Sequence, residues 1–169
     1  MQGFMKLADK VHPHVQTTVE LFGITPSMTV VDYGCGPGRY TAEFARLVGS
    51  DGRVIAVDLV ELALQETQKR LSAKGLSNVE YQLALGYDSG VEAEVADIVF
   101  AIDMFHHIKE PKAFLKEVHR ITKPEGLLIL SGGHMSRAMV KAKIGQSALW
   151  DICQENAKFI SYQKKDSKA

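Results

Sequence analysis

An excess of charge of either sign is missing from this chain: lysine plus arginine and aspartate plus glutamate both number 20, a formal net charge of zero. With no global field to attract polyanions or acidic lipid, neither nucleic acid nor membrane is the partner to expect, although a local basic patch stays open. Cysteine is scarce, with only Cys35 and Cys153, set far apart and without metal-ligand spacing. Neither a disulfide framework nor a metal centre is expected, and a reducing, cytoplasmic compartment is the natural setting. No stretch approaches the roughly 20 apolar residues of a membrane span, and residues 1–9 lack the apolar core of a signal peptide. Repeats and low-complexity tracts are missing too. What remains is one soluble domain, because 169 residues, 46% of them hydrophobic, suffice to enclose a core.

Short β-rich apolar runs alternate with amphipathic segments along the chain. The strands read as Thr29–Tyr33, Arg53–Asp58, Val79–Leu83, 98–102 and 127–131, and the helical patterns as 11–22, 40–47, 62–74 and 112–121. Gly23 and Pro26 break the first helix off, and Pro111 suits the first turn of the last. This alternation is the pattern of a parallel sheet covered by helices. Two further runs, 149–153 and 159–162, flank the segment Glu155-Asn156-Ala157-Lys158, short enough for a hairpin. Residues 164–169 read as a frayed end.

The most informative stretch is Val30-Val31-Asp32-Tyr33-Gly34-Cys35-Gly36-Pro37-Gly38-Arg39-Tyr40. An apolar strand ends, turns through three glycines spaced two apart, and enters a helix. Glycine tolerates positive φ and has no Cβ, so such a turn brings bare backbone up to a ligand at a helix N-terminus. A dinucleotide fingerprint, Gly-x-Gly-x-x-Gly, would need glycine at position 39, where Arg39 stands. That departure, with no second catalytic domain in view, disfavours a nicotinamide-dependent oxidoreductase.

The pattern Asp-x-Gly-x-Gly-x-Gly resembles motif I of the class I S-adenosylmethionine-dependent methyltransferases. The segments 54–59, 97–108 and 121–130 are similar to that family's later motifs in order and spacing, nearest its small "type 11" branch. The resemblance is close over 23–132 and loose beyond. It implies an α/β fold with a Rossmann-like doubly wound sheet of seven strands, ending in a C-terminal antiparallel hairpin. One methyltransferase domain would occupy 1–169, with an N-terminal helical lid segment at 1–28, a cofactor-binding core at 29–132 and an edge hairpin at 148–164. The implied cofactor is S-adenosylmethionine, with S-adenosylhomocysteine as product. Gly34, Gly36 and Gly38 would lie against its methionine portion, and Asp32 would fix the loop and the amino group. Tyr40 and Asp103 belong to the same cofactor-contacting set. Asp58 would bind both ribose hydroxyls, since a carboxylate accepts two hydrogen bonds at once, though a strand-ending aspartate equally suits a helix N-cap. Leu59 would pack on the adenine. Leu85 stands where many relatives carry an aspartate near the adenine amine, which leaves the backbone of Leu85 and Gly86, or Asp88, as alternatives.

Methyl transfer from a sulfonium is an in-line displacement that needs positioning, and a base only where the nucleophile must lose a proton. His106 and His107 follow the fourth strand, where relatives face the transferable methyl, and are the candidate catalytic base. His134 converges on the same region. Packing or loop orientation is the competing role for these imidazoles, and no metal site is assigned to them. No Asn-Pro-Pro-Tyr stands at 102–105, which argues against methylation of a base or glutamine amine, and the placement of Cys35 and Cys153 argues against cysteine-based pyrimidine methylation. A small-molecule acceptor fits best. The specificity spans 1–22 and 132–149 are short, so the acceptor range is broad or a second subunit of a homo-oligomer completes the site. Two other classes stay open: a non-catalytic S-adenosylmethionine-binding regulatory or partner subunit, and the nucleotide-binding oxidoreductase.

Overall fold

A computed structural model describes residues 22–165; the helix expected over 11–22, apart from Phe22, and residues 166–169 lie outside the described residues. Seven strands and four helices follow in order: β1 (Thr29–Tyr33), α1 (Arg39–Val48), β2 (Arg53–Asp58), α2 (Glu61–Ser72), β3 (Val79–Leu83), β4 (Ala96–Ala101), α3 (Pro111–Ile121), β5 (Thr122–Ser131), α4 (Arg137–Gly145), β6 (Trp150–Glu155) and β7 (Phe159–Lys164). The strands form one sheet in the order β3-β2-β1-β4-β5-β7-β6. β1 to β5 run parallel, with Thr29 opposite Arg53 and Val30 opposite Ile98, while β7 is antiparallel to both β5 and β6. Strand order therefore reverses between β1 and β4, and the carboxyl ends on either side of that point open the crevice where such sheets bind ligands.

Alternation along each strand divides the core. Val30, Val54, Ile98, Phe100 and Ile129 face α1, where Phe44 stacks on Phe100 with ring centroids 4.2 Å apart. Val31, Tyr33, Val57, Val99 and Leu128 face the opposite layer, meeting Phe114, Leu115 and Val118 of α3 and Val140 and Ile144 of α4. Strands buried on both faces explain the unbroken apolar runs of β1, β2 and β4. Within α2, Leu64, Thr67 and Leu71 are buried, while Leu62 is exposed.

Several expected boundaries move. β4 ends at Ala101, because Asp103 adopts φ +55° and turns the chain out of the sheet. β5 begins at Thr122 and runs past Pro124. A proline is tolerated because the register slips between Ala96 and Ile98, and the ladder resumes at Leu127. α4 was not among the expected helices; Ser136 begins it, its hydroxyl accepting the Met139 N–H at 3.3 Å. Lys164 and Lys165, expected within the frayed end, are tied down. Lys164 donates to Thr122 O at 2.8 Å, and the Lys165 N–H to Leu149 O at 3.0 Å. No helix among the described residues is long and apolar enough to cross a membrane.

Candidate functional site

The glycine loop is fixed from behind and open in front. The N–H groups of Gly34 and Cys35 both donate to Val57 O, at 2.8 and 3.1 Å, which locks the loop to β2. From α2, Thr67 donates to Gly36 O at 2.7 Å and Arg70 to Pro37 O at 2.7 Å. Cys35 is buried beside Thr67, and burial pushes its thiol far above the ordinary range, so it is an unreactive packing residue. The outer glycines are required by packing. A Cβ on Gly34 would lie 2.9 Å from Met104 Cγ, and one on Gly38 2.7 Å from Thr67 Cγ2. Over Gly36, at φ +52°, a Cβ would meet nothing within 4 Å. The bare backbone there faces open space.

Two carboxylates flank this loop. Asp32, 3% exposed at the heart of β1, accepts the Thr41 hydroxyl at 2.6 Å. Burial pushes its pKa up to about 7; the Thr41 hydrogen bond opposes the shift and the neighbouring Asp58 charge adds to it. Asp58 ends β2. Its Oδ2 accepts the Gly36 N–H at 2.9 Å and its Oδ1 the Val60 N–H at 3.0 Å. One side chain thus fixes the turn that leads into α2 and braces the glycine loop.

Beyond Asp58, the carboxyl ends of β2 and β3 carry an apolar rim. Leu59 is 58% exposed, Leu62 63% and Leu85 78%. Leu85 and Asp88 exchange backbone hydrogen bonds at 2.9 and 3.2 Å, with Gly86 at the tip at φ +63°. The Asp88 carboxylate accepts the Gly90 N–H at 3.0 Å, so the local turn holds it.

At the end of β4, Asp103 and Ser131 form a closed pair. The Ser131 hydroxyl accepts the Asp103 N–H at 2.7 Å and donates to Asp103 Oδ1 at 2.9 Å. Sequence reasoning missed Ser131, whose only signal is a lone hydroxyl closing the apolar run of β5. The following single turn of 3-10 helix, Phe105–His107, brings the histidines together. The ring centroids of His106 and His107 lie 3.9 Å apart, and His134 packs edge-on to His106 at 5.4 Å. Gly133 closes the other side of His106, where a Cβ would lie 2.5 Å from Nδ1. Burial lowers the His106 pKa, His107 and His134 lower it further, and Asp103 opposes them. His106 Nδ1 is buried with no hydrogen-bond partner among the described residues. α4 supports this turn as well: Lys143 Nζ donates to Phe105 O at 2.8 Å and sits 4.8 Å from the Phe105 ring centroid. Among the described residues no group of three or more His, Cys, Asp or Glu is placed to hold a metal ion.

A cavity of about 400 Å³ opens beside this pair, walled by Tyr40, Asp103, Ser131, Gly133, Arg137 and Lys158 among others. Neither His106 nor His107 forms part of its wall. A larger hollow of about 880 Å³ lies along α3. None of its lining residues comes from the glycine loop, and its Glu117–Arg120 and Glu94–Lys164 pairs, at 2.6 and 3.2 Å, are engaged with each other. We assign the smaller cavity to the site, since it adjoins the strand ends that carry the loop.

Residues 24–166 match the family model described as a methyltransferase domain. The chain belongs to that family. The dinucleotide-oxidoreductase alternative falls away, and the chain carries a class I S-adenosylmethionine-dependent methyltransferase domain. It is 32% identical over 114 residues to the ubiquinone/menaquinone biosynthesis C-methyltransferase UbiE of Teredinibacter turnerae, an alignment covering 67% of this chain and 46% of that protein. The chain therefore spans about half the length of the curated relatives it matches. In structure this domain is similar to a SAM-dependent methyltransferase from Aquifex aeolicus (TM-score 0.79, 22% identity, 88% of this chain and 87% of that one). It is also similar to a SAM-dependent O-methyltransferase from Thermotoga maritima (TM-score 0.72, 15% identity, 94% and 68%). These two likenesses show a shared fold.

Proposed function

We propose that this chain binds S-adenosylmethionine over the carboxyl ends of β1, β2 and β4 and transfers its methyl group to a small-molecule acceptor held in the cavity beside Asp103. One observation carries this reading: the glycine loop leaves open space over Gly36, the same residue whose N–H is held by the carboxylate of Asp58. The residues present fit the cofactor. Asp58 keeps lone pairs for a vicinal diol while its bonds to Gly36 and Val60 fix its plane. Leu59, Leu62 and Leu85 offer an exposed apolar surface for a flat ring, and the turn at Leu85 and Gly86 offers backbone for its amine. Asp32 supplies a buried charge for an ammonium, with Gly34 and Gly38 setting the shape of the loop between them.

When bound, S-adenosylmethionine supplies a methyl group already activated by its sulfonium. The chain's task is alignment. Ser131 holds the Asp103 carboxylate, and Tyr40 borders the same space from α1. Neither His106 nor His107 walls this cavity, so for an acceptor that carries a proton the reading assigns no base from that pair. The curated relatives are named for C-methylation in quinone biosynthesis; for this chain the reading stops at a small molecule. Calorimetric titration with S-adenosylhomocysteine tests it. Binding with a raised melting temperature is expected, and no binding at millimolar ligand, with nicotinamide dinucleotide bound instead, overturns it.

A further inference from the structure

Three charged side chains wall the 400 Å³ cavity: Asp103, Arg137 and Lys158. Asp103 stands at the end of β4 and is engaged with Ser131. Lys158 lies in the turn that opens β7, on the far side of β5, two strand spacings or about 10 Å away. The cavity is thus polarised, with its carboxylate on the β4 side and its cations on the β7 side.

The cationic side is held in place. Asn156 Oδ1 accepts the N–H groups of Lys158 and Phe159 at 3.0 and 2.9 Å, and the Asn156 N–H donates to Phe159 O at 3.0 Å. Arg137, the first residue of α4, donates to Asn156 O and so clamps the turn to the helix. The charges do not cancel. Glu155 sits 3.0 Å from Arg137 and 2.6 Å from Lys141, so one carboxylate serves two cations. Lys158 adds a further positive charge, with no ion-pair partner identified among the described residues. Val140 and Phe159 contribute apolar wall between the two charged sides.

Resting on the methyltransferase reading above, we propose that the acceptor is a small organic oxyanion, a carboxylate or phosphate ester, whose anionic group is held by Lys158 and Arg137 while its nucleophilic atom points toward Asp103. A volume of this size lies within the range of about 300–1,000 Å³ usual for small-molecule sites. The backbone that carries Lys158 is already fixed, so binding does not have to order the turn. Asp103 disfavours an anion at the β4 side, so the charges also set the acceptor's orientation.

The test uses the full chain saturated with S-adenosylhomocysteine and titrated calorimetrically with four probes of similar shape: benzoate, phenyl phosphate, benzamide and benzylamine. Benzoate or phenyl phosphate binds at least about tenfold more tightly than benzamide, the scale of one charge-assisted hydrogen bond, and the tighter of the two identifies the anion. In Lys158→Met the preference shrinks to within about threefold while the affinity for S-adenosylhomocysteine holds. Equal binding of all four probes, a preference for benzylamine, no measurable anion binding, or an undiminished preference in Lys158→Met overturns the proposal and leaves the methyltransferase reading standing. Failure of S-adenosylhomocysteine itself to bind overturns both.

Discussion

Ser131 holds Asp103 in a left-handed backbone conformation, taking the Asp103 N–H at 2.7 Å and giving its own proton to Asp103 Oδ1 at 2.9 Å, with φ at +55°. A non-glycine residue there costs about 1–2 kcal/mol, which the two bonds offset. The turn joins the carboxyl ends of β4 and β5 beside the cavity, where backbone strain commonly accompanies function.

Replacing Ser131 by alanine removes both bonds at once. We expect a loss of about 1–2 kcal/mol in urea unfolding, from a partly buried N–H left without its acceptor. S-adenosylhomocysteine affinity should change little, because Ser131 serves the acceptor side. A variant as stable as the parent would mean that Asp103 keeps its conformation unaided.

Asp58→Ala should weaken S-adenosylhomocysteine by about 1.5–3 kcal/mol, the range for hydrogen bonds to a charged group. The fold should persist by circular dichroism, with a modest stability loss because Gly36 and Val60 lose their acceptor. An unchanged dissociation constant would confine Asp58 to bracing the glycine loop and the turn before α2.

Gly36 and Gly38 separate binding from folding. Gly38→Ala places a Cβ 2.7 Å from Thr67 Cγ2 at φ +73°, so it should lower the melting temperature markedly. Gly36→Ala meets nothing within 4 Å and should cost only the left-handed penalty of about 1–2 kcal/mol, yet it should abolish cofactor binding. Equal effects of the two substitutions on binding, after correction for stability, would contradict a ligand over Gly36.

Asp32 gives a pH signature. Its folded-state pKa is raised from 3.8 to about 7, the reverse of an ion-paired carboxylate, so the folded protein holds a proton that the unfolded chain releases. Its contribution to stability is fully present below pH 3.8 and declines as pH rises toward 7. Relative to Asp32→Asn, the parent should lose stability across that window, by at most about 4 kcal/mol at 1.36 kcal/mol per unit. A bound ammonium favours the ionised form, so S-adenosylhomocysteine should bind more tightly at pH 8 than at pH 6. Pairwise titrations of parent and variant check both signs.

The glycine loop and its two flanking carboxylates were legible because their signals are local. Val30 and Val31 already alternate between the two faces, and the glycine spacing with Asp32 and Asp58 lies within two successive strand ends. The acceptor half was less legible. α4 buries only Val140 and Ile144, too narrow a stripe to stand out among its alanines, Met139 and two lysines. Ser131 has meaning only through Asp103 on the neighbouring strand. The histidine rings meet because Gly133, distant in sequence, admits His106, and the run Asp103-Met104-Phe105-His106-His107 carries no trace of that contact. The strand read as 127–131 begins at Thr122 instead, because the slip against β4 accommodates Pro124 and Gly126.

The strand order has a consequence for how such a domain changes its substrate. Asp32, Asp58 and the glycine loop sit on β1 and β2, whereas Arg137, Lys158 and Phe159 come from one contiguous stretch, α4 through β7, that joins the sheet through β5 alone. Mutations in that stretch can redraw the acceptor cavity without crossing the strands that carry the cofactor loop. New specificities are therefore reachable by drift in one contiguous stretch, α4 through β7, while the strands that carry the glycine loop stay under separate constraint.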